Sequence, residues 1–208
     1  MNQSTARGVW RPARQCPSPN CDAREQGEVS LLLIHAISLP PGEFGGPAIE
    51  ALFTNRLDPD AHPFFATIHR LRVSAHFLIR RDGECVQFVD TDRRAWHAGR
   101  SRWFDPRLDR QREALNDCSV GIELEGDGLT PFTGAQYRRL VALTRWLLER
   151  YPELDASRIT SHAHVAPLRK EDPGPCFDWH YYRQQLARAS ENGQTSEKPP
   201  LHQSDSKR

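Results

Sequence analysis

Ser30-Leu31-Leu32-Leu33-Ile34-His35-Ala36-Ile37 is a short run, apolar without interruption until it meets a histidine. Side chains of a strand alternate between its two faces, so a run with no polar alternate is covered on both. That predicts a buried strand inside a layered α/β domain. A histidine closing such a strand is more often a hydrogen-bonded core residue than a ligand, and the run alone leaves the ligand reading open.

Outward from this strand, the chain supplies partners for it. Ser74 to Arg80 alternates as a strand does, Arg81-Asp82-Gly83-Glu84 carries the Asp-Gly turn signal, and Cys85 to Val89 reads as the returning strand. Cys118 to Gly126 reads as another strand. It carries Glu123 and Glu125 on one face and Val120, Ile122 and Leu124 on the other. The two carboxylates either face solvent or point into a cleft. Arg158 to Ser161 is a short strand. Helices are expected over 48–55, after Pro47, over 134–151, with Thr133 as N-cap and Pro152 as stop, and over 177–189. Loops are expected over 38–47, 58–66 and 96–99, and residues 100–118 read as a polar, Arg-rich surface excursion.

The resulting expectation is one α/β domain over 28–189, a mixed central sheet flanked by helices with a zinc site at one edge of the sheet. An irregular arm, 1–27, precedes it, and a disordered tail, 190–208, follows it. Lys+Arg number 28 against Asp+Glu 27, a balance that argues against a nucleic-acid partner. The longest apolar run is Leu31 to Ile34, far short of the ~20 residues that a membrane span needs. Met1 to Arg14 contains no apolar segment of a secretory signal. The five cysteines (Cys16, Cys21, Cys85, Cys118 and Cys176) show no paired spacing and read as free thiols in a reducing cytoplasm.

The chemistry concentrates in Ser161-His162-Ala163-His164-Val165-Ala166-Pro167-Leu168-Arg169-Lys170-Glu171-Asp172-Pro173-Gly174-Pro175. Proline restricts φ and glycine permits positive φ, so this ending can hold an aspartate in one place. Alone, the stretch reads as a polar loop closing onto a helix, since short His/Asp clusters on loops are common. It becomes a site if His35 and His162 end neighbouring strands, because then both converge with Asp172. Three such ligands and one open position suit a catalytic zinc. Glu123 is placed to take a proton from an activated water, and Lys170 to balance an oxyanion, which together describe metal-assisted amide hydrolysis. Trp96 and His97, beside Ala98-Gly99, either line a cleft and contact substrate or pack over the sheet.

Several segments resemble, in order, the AmpD-type 1,6-anhydro-N-acetylmuramoyl-L-alanine amidases: Ile34 to Pro47, Leu71 to Gly83, Ala95 to Gly99, Gly121 to Gly126 and Arg169 to Pro175. The resemblance runs from about Arg14 to Arg183, and the wider relatives are zinc amidases of peptidoglycan and peptidoglycan-recognition proteins. It implies a cytoplasmic enzyme of cell-wall recycling that cuts the amide between the lactyl group of anhydro-muramic acid and L-alanine of the stem peptide; the chain is expected to be a monomer. The implied ligands of one Zn2+ are His35, His162 and Asp172, the implied catalytic pair is Glu123 and Lys170, and Arg72 falls where the family contacts substrate. On a strand His164 would share a face with His162, and the family register selects His162. Ala36, Ser161 and His164 depart from the residues common in the family, and Ala114 is the nearest residue to an expected arginine. Cys176 reads as a bystander. The alternatives are an amidase of intact peptidoglycan and a non-catalytic muropeptide-binding protein.

Overall fold

The computed structural model describes residues 8–24 and 28–194 of the chain. In chain order the strands are β1 (Arg14–Gln15), β2 (Cys21–Ala23), β3 (Leu31–Ile37), β4 (Phe77–Ile79), β5 (Cys85–Gln87), β6 (Arg93–Ala95), β7 (Arg102–Asp105), β8 (Arg110–Glu113), β9 (Ser119–Glu125) and β10 (Ile159–Ser161). The helices are α1 (Ala48–Phe53), α2 (Pro63–Ile68), α3 (Gly134–Arg150), α4 (His162–Val165) and α5 (Trp179–Gln194). A six-stranded sheet runs in the order β1-β5-β4-β9-β3-β10. Its pairings are parallel except β4 with β5, which the Asp-Gly turn joins as a hairpin. The expected mixed sheet is therefore present, with β4 and β9 at its centre and β3 between β9 and the edge strand β10.

The two faces of the central strands are covered by different partners. Leu32, Ile34, Val120, Ile122 and Leu124 pack against Leu140, Leu143 and Leu147 of α3 and Tyr182 of α5. Leu31 and Leu33 turn the other way, against Ala98, Trp103, Leu115 and Val165. All four residues Leu31 to Ile34 are 0% exposed, as an unbroken apolar strand requires. Helix α3 begins with a full capping box: the Thr133 hydroxyl accepts from Gln136 N–H and the Gln136 side chain returns to Thr133 N–H. The Gln136 amide also donates to the Glu125 carbonyl at 2.9 Å, tying the helix start to the end of β9.

Four expectations need correction. The N-terminal arm is not irregular where it is described, because β1 joins the sheet beside β5, and Trp10, 6% exposed, meets Phe77 edge-on. Strands of two or three residues carry no period to read. Residues 63–66, expected as part of the loop 58–66, belong to α2, with Pro63 at its start and the His62 ring capping Phe64 N–H; the cap is a histidine rather than one of the usual short polar residues. The excursion at 100–118 contains the hairpin β7–β8, anchored by Asp105, which is wholly buried against Arg158. The last helix continues to Gln194, because its polar end contains helix-tolerant Glu and Gln. Residues 1–7, 25–27 and 195–208, including most of the expected tail, lie outside the described residues.

Candidate metal centre

The sheet register assembles the site. His35 of β3 lies directly opposite Glu123 of β9, and Ile34 lies opposite Ser161 of β10. Glu123, His35 and the residue after Ser161, His162, are thus brought to one level across three adjacent strands. His162 opens α4, whose N-cap is the Ser161 hydroxyl, accepting from His164 N–H. A helical turn sends residues two apart in different directions. His162 is accordingly buried and His164 exposed, so the shared face expected for a strand does not exist.

Asp172 arrives on the loop after α4. Its carbonyl accepts from Ala163 N–H at 2.9 Å. The turn behind it closes through Gly174 at φ +84, where a Cβ would stand 2.6 Å from Gly128 Cα. Only a glycine permits both that backbone conformation and that approach.

His35 Nδ1, His162 Nδ1 and Asp172 Oδ2 form a triangle with edges of 3.0, 3.1 and 3.0 Å. A tetrahedral zinc holding its nitrogen and oxygen ligands at ~2.0–2.2 Å needs them roughly 3.3 Å apart, close to what is found. The donor chemistry fits as well. His162 Nε2 faces the Ala98 carbonyl at 3.2 Å, so it carries the proton and leaves Nδ1 bare. Burial pushes the His35 imidazole down to about 4, against the pull of Asp172. Asp172 is pushed up by burial and more strongly down by its hydrogen bonds to His162 and His35, and so stays a carboxylate. Neutral imidazoles and a carboxylate converging on one point are the ligand forms a divalent cation requires.

Glu123 stands beside this cluster with one unusual property. Its Oε2 is buried without a hydrogen-bond partner among the described residues. Burial first, and then the Asp172 charge, pushes its carboxyl well above the ordinary 4.5, while the Lys170 charge opposes them. Lys170 itself is exposed on the loop before Asp172. A groove of about 460 Å³ reaches the site at Asp172, between Ala36, Ser38 and Gly42 on one side and Leu129, Asp172 and Pro173 on the other.

The remaining expected contacts are placed differently from one another. His97 lies behind His35, its Nδ1 3.0 Å from His35 Nε2. The Trp96 side chain turns toward Asp22, adding to Arg94 in lowering that carboxyl. The Arg72 guanidinium turns back to the carbonyls of His69, Arg70 and Leu71, the contacts being 3.4–3.5 Å long. Cys176 points its sulfur at the Leu129 carbonyl rather than at the cluster. Sequence reasoning passed over Ser119, Gly121 and Arg169. Gly121 left a trace, since glycine in the middle of an apolar strand marks close approach by another group. Arg169 left none: its guanidinium ties the carbonyls of Ala98 and Arg100 to the ligand loop.

Comparison with known proteins agrees with this geometry. The family model of N-acetylmuramoyl-L-alanine amidase matches residues 25–175. The 1,6-anhydro-N-acetylmuramyl-L-alanine amidase AmpD of Escherichia coli strain K12 is 56% identical over 172 residues, covering 82% of this chain and 90% of that protein. A crystal structure of a selenomethionine AmpD derivative superposes with a TM-score of 0.81 at 54% identity, covering 86% of this chain and 97% of that one. The E. coli amidase AmiD, solved with the substrate anhydro-N-acetylmuramic acid-L-Ala-D-gamma-Glu-L-Lys, gives a TM-score of 0.53 at 26% identity, over 99% of this chain and 70% of that one. The chain belongs to the N-acetylmuramoyl-L-alanine amidase family, in its AmpD-type branch.

Proposed function

We propose that this amidase uses zinc to hydrolyse the bond between the lactyl group of 1,6-anhydro-N-acetylmuramic acid and L-alanine of the stem peptide, as a monomer in cytoplasmic peptidoglycan recycling. The observation that carries the reading is the triangle of His35 Nδ1, His162 Nδ1 and Asp172 Oδ2, with edges of 3.0–3.1 Å, beside the unpartnered Glu123 Oε2. The substrate is supported by the names of the AmpD relatives and by the muropeptide bound to AmiD. The compartment is supported by the free thiols of all five cysteines.

Zinc held by His35, His162 and Asp172 would polarise the scissile carbonyl and lower the pKa of water at the site. Glu123 takes the proton from the attacking water. Glu123 then hands that proton to the alanine nitrogen as the C–N bond breaks. Lys170 places a cation near the oxygen that gains charge. The groove over Ala36 and Gly42 receives the muramoyl part, and Arg72 and Trp96 complete the proposed substrate contacts.

The test is release of an L-alanine-terminated peptide from purified anhydro-muropeptide, with and without a chelator. The expected result is turnover that disappears on chelation and returns with zinc, and no release from intact sacculi. Comparable release from sacculi would favour an amidase of intact peptidoglycan. Tight binding of muropeptide with no release would favour a non-catalytic binding protein.

A further inference from the structure

His97 sits where a substrate contact was expected, yet its two ring nitrogens are both engaged below the site. Nδ1 lies 3.0 Å from His35 Nε2, and Nε2 lies 3.3 Å from Ser119 Oγ. Ser119 Oγ in turn lies 2.6 Å from the Leu115 carbonyl. We propose that His97 is a positioning residue for the metal: through Ser119 and the Leu115 carbonyl it holds the His35 ring with Nδ1 bare and aimed at His162 and Asp172. This inference rests on the zinc reading of the site.

The direction of each hydrogen bond follows from its far end. A carbonyl oxygen can only accept, so the Ser119 hydroxyl donates to Leu115. Its oxygen then offers a lone pair to His97, so His97 Nε2 carries the proton. In a neutral ring the other nitrogen is bare, and His97 Nδ1 therefore accepts from His35 Nε2–H. His35 is left with an unprotonated Nδ1, the form that can ligate. A protonated His97 would break the sequence, because an Nδ1–H would claim the His35 Nε2 lone pair and put the His35 proton on the metal side.

The ring is also held by shape. A Cβ on residue 121 would stand 2.5 Å from His97 Nδ1 and 2.6 Å from its Cγ. Gly121 thus leaves the recess in β9 that the imidazole fills. On the side, His76 packs edge-on at 5.6 Å between centroids, itself fixed by Gly121 N–H donating to its Nδ1 at 3.0 Å. The glycine that breaks the apolar run of β9 therefore serves the ligand on β3 through a third residue.

The first measurement uses the metal-free wild-type protein. Long-range nitrogen-15 correlation spectra of the histidine rings should show His35 protonated on Nε2 and His97 protonated on Nε2. His35 protonated on Nδ1 would overturn the proposal. The second measurement is zinc affinity by competition with a chromophoric chelator. His97→Phe keeps the ring and removes both hydrogen bonds, and should weaken zinc by about 10–100-fold. His97→Gln, whose amide can accept from His35 and donate to Ser119, should recover most of that loss. Ser119→Ala should shift part of His35 to the Nδ1–H form and weaken zinc by less than His97→Phe. Wild-type affinity in His97→Phe together with an unchanged His35 spectrum in Ser119→Ala would also overturn it. Failure of the wild-type protein to bind zinc is a different result and would overturn the proposed function instead.

Discussion

His35 and Glu123 are register partners on adjacent parallel strands, so a metal ligand and the proposed base are held side by side by backbone pairing rather than by loops. Replacing Glu123 by Gln leaves the strand pairing and the triangle intact. Zinc content should stay near one per chain, measured by atomic emission, while the rate on anhydro-muropeptide falls by roughly 10²–10⁴-fold. A rate within threefold of wild type would remove Glu123 from the chemistry.

The same substitution should make the metal-free protein more stable at pH 8. The Glu123 carboxyl has a folded-state pKa raised above its unfolded value. Its contribution to stability is therefore present at low pH and lost as pH rises through the folded pKa. Glutamine, which never ionises, escapes that loss. The check is urea unfolding at pH 5 and pH 8, with the gain over wild type confined to the higher pH.

The buried imidazoles work in the opposite sense. His35 is pushed down to about 4, and His76 and His97 well below 6.5, in each case first by burial. Between those values and 6.5 the unfolded chain binds more protons than the folded one, so stability falls as pH falls through that window. Three such groups outweigh the one carboxyl of opposite sign. The chelated protein should show a lower urea midpoint at pH 5 than at pH 7, with an unchanged slope; a midpoint that rises on acidification would contradict the placement of these rings.

His162 and His164 separate cleanly. His162→Ala should abolish zinc binding and turnover, since it removes one corner of the triangle. His164 is exposed on the far side of the same helical turn, and His164→Ala should change zinc affinity and rate by less than about twofold, as is usual for a surface substitution. Inactivity of the second variant with survival of the first would reverse the ligand assignment.

Gly174→Ala should be costly despite adding one methyl group. The residue lies at φ +84, and its Cβ would meet Gly128 Cα at 2.6 Å, Gly128 O at 2.7 Å and Gly128 C at 3.0 Å. Neither backbone can yield without moving Asp172, two residues back. A destabilisation of about 1–3 kcal/mol is expected from such overpacking, read by denaturant unfolding, together with weaker zinc binding.

Much of this arrangement could be read along the chain because single residue types announced it. Leu31 to Ile34 gave the β3 strand through continuous apolarity, Asp82-Gly83 the β4–β5 hairpin, and Thr133 the start of α3. The triangle was legible only as a condition: His35, His162 and Asp172 meet if β3 and β10 are neighbours, and pairing across more than a hundred residues has no local signature. His97 was read from its own tetrapeptide, where an imidazole beside small residues looks like a cleft wall. What decides its place is the recess at Gly121 and the hydroxyl of Ser119, both on another strand. The short strands β1 and β2 and the histidine-capped α2 were missed because each is too brief for a period or uses an uncommon cap.

Because Glu123 and His35 lie on β9 and β3 and His162 directly follows β10, strands that pair only across long stretches of chain, the ion's pocket is among the last things a refolding molecule can complete. Such distant pairings close slowly. Recovery of zinc binding after dilution from denaturant should therefore lag the return of α3 helicity, and a proteolytic fragment ending before β10 should take up no zinc, however much helix it keeps.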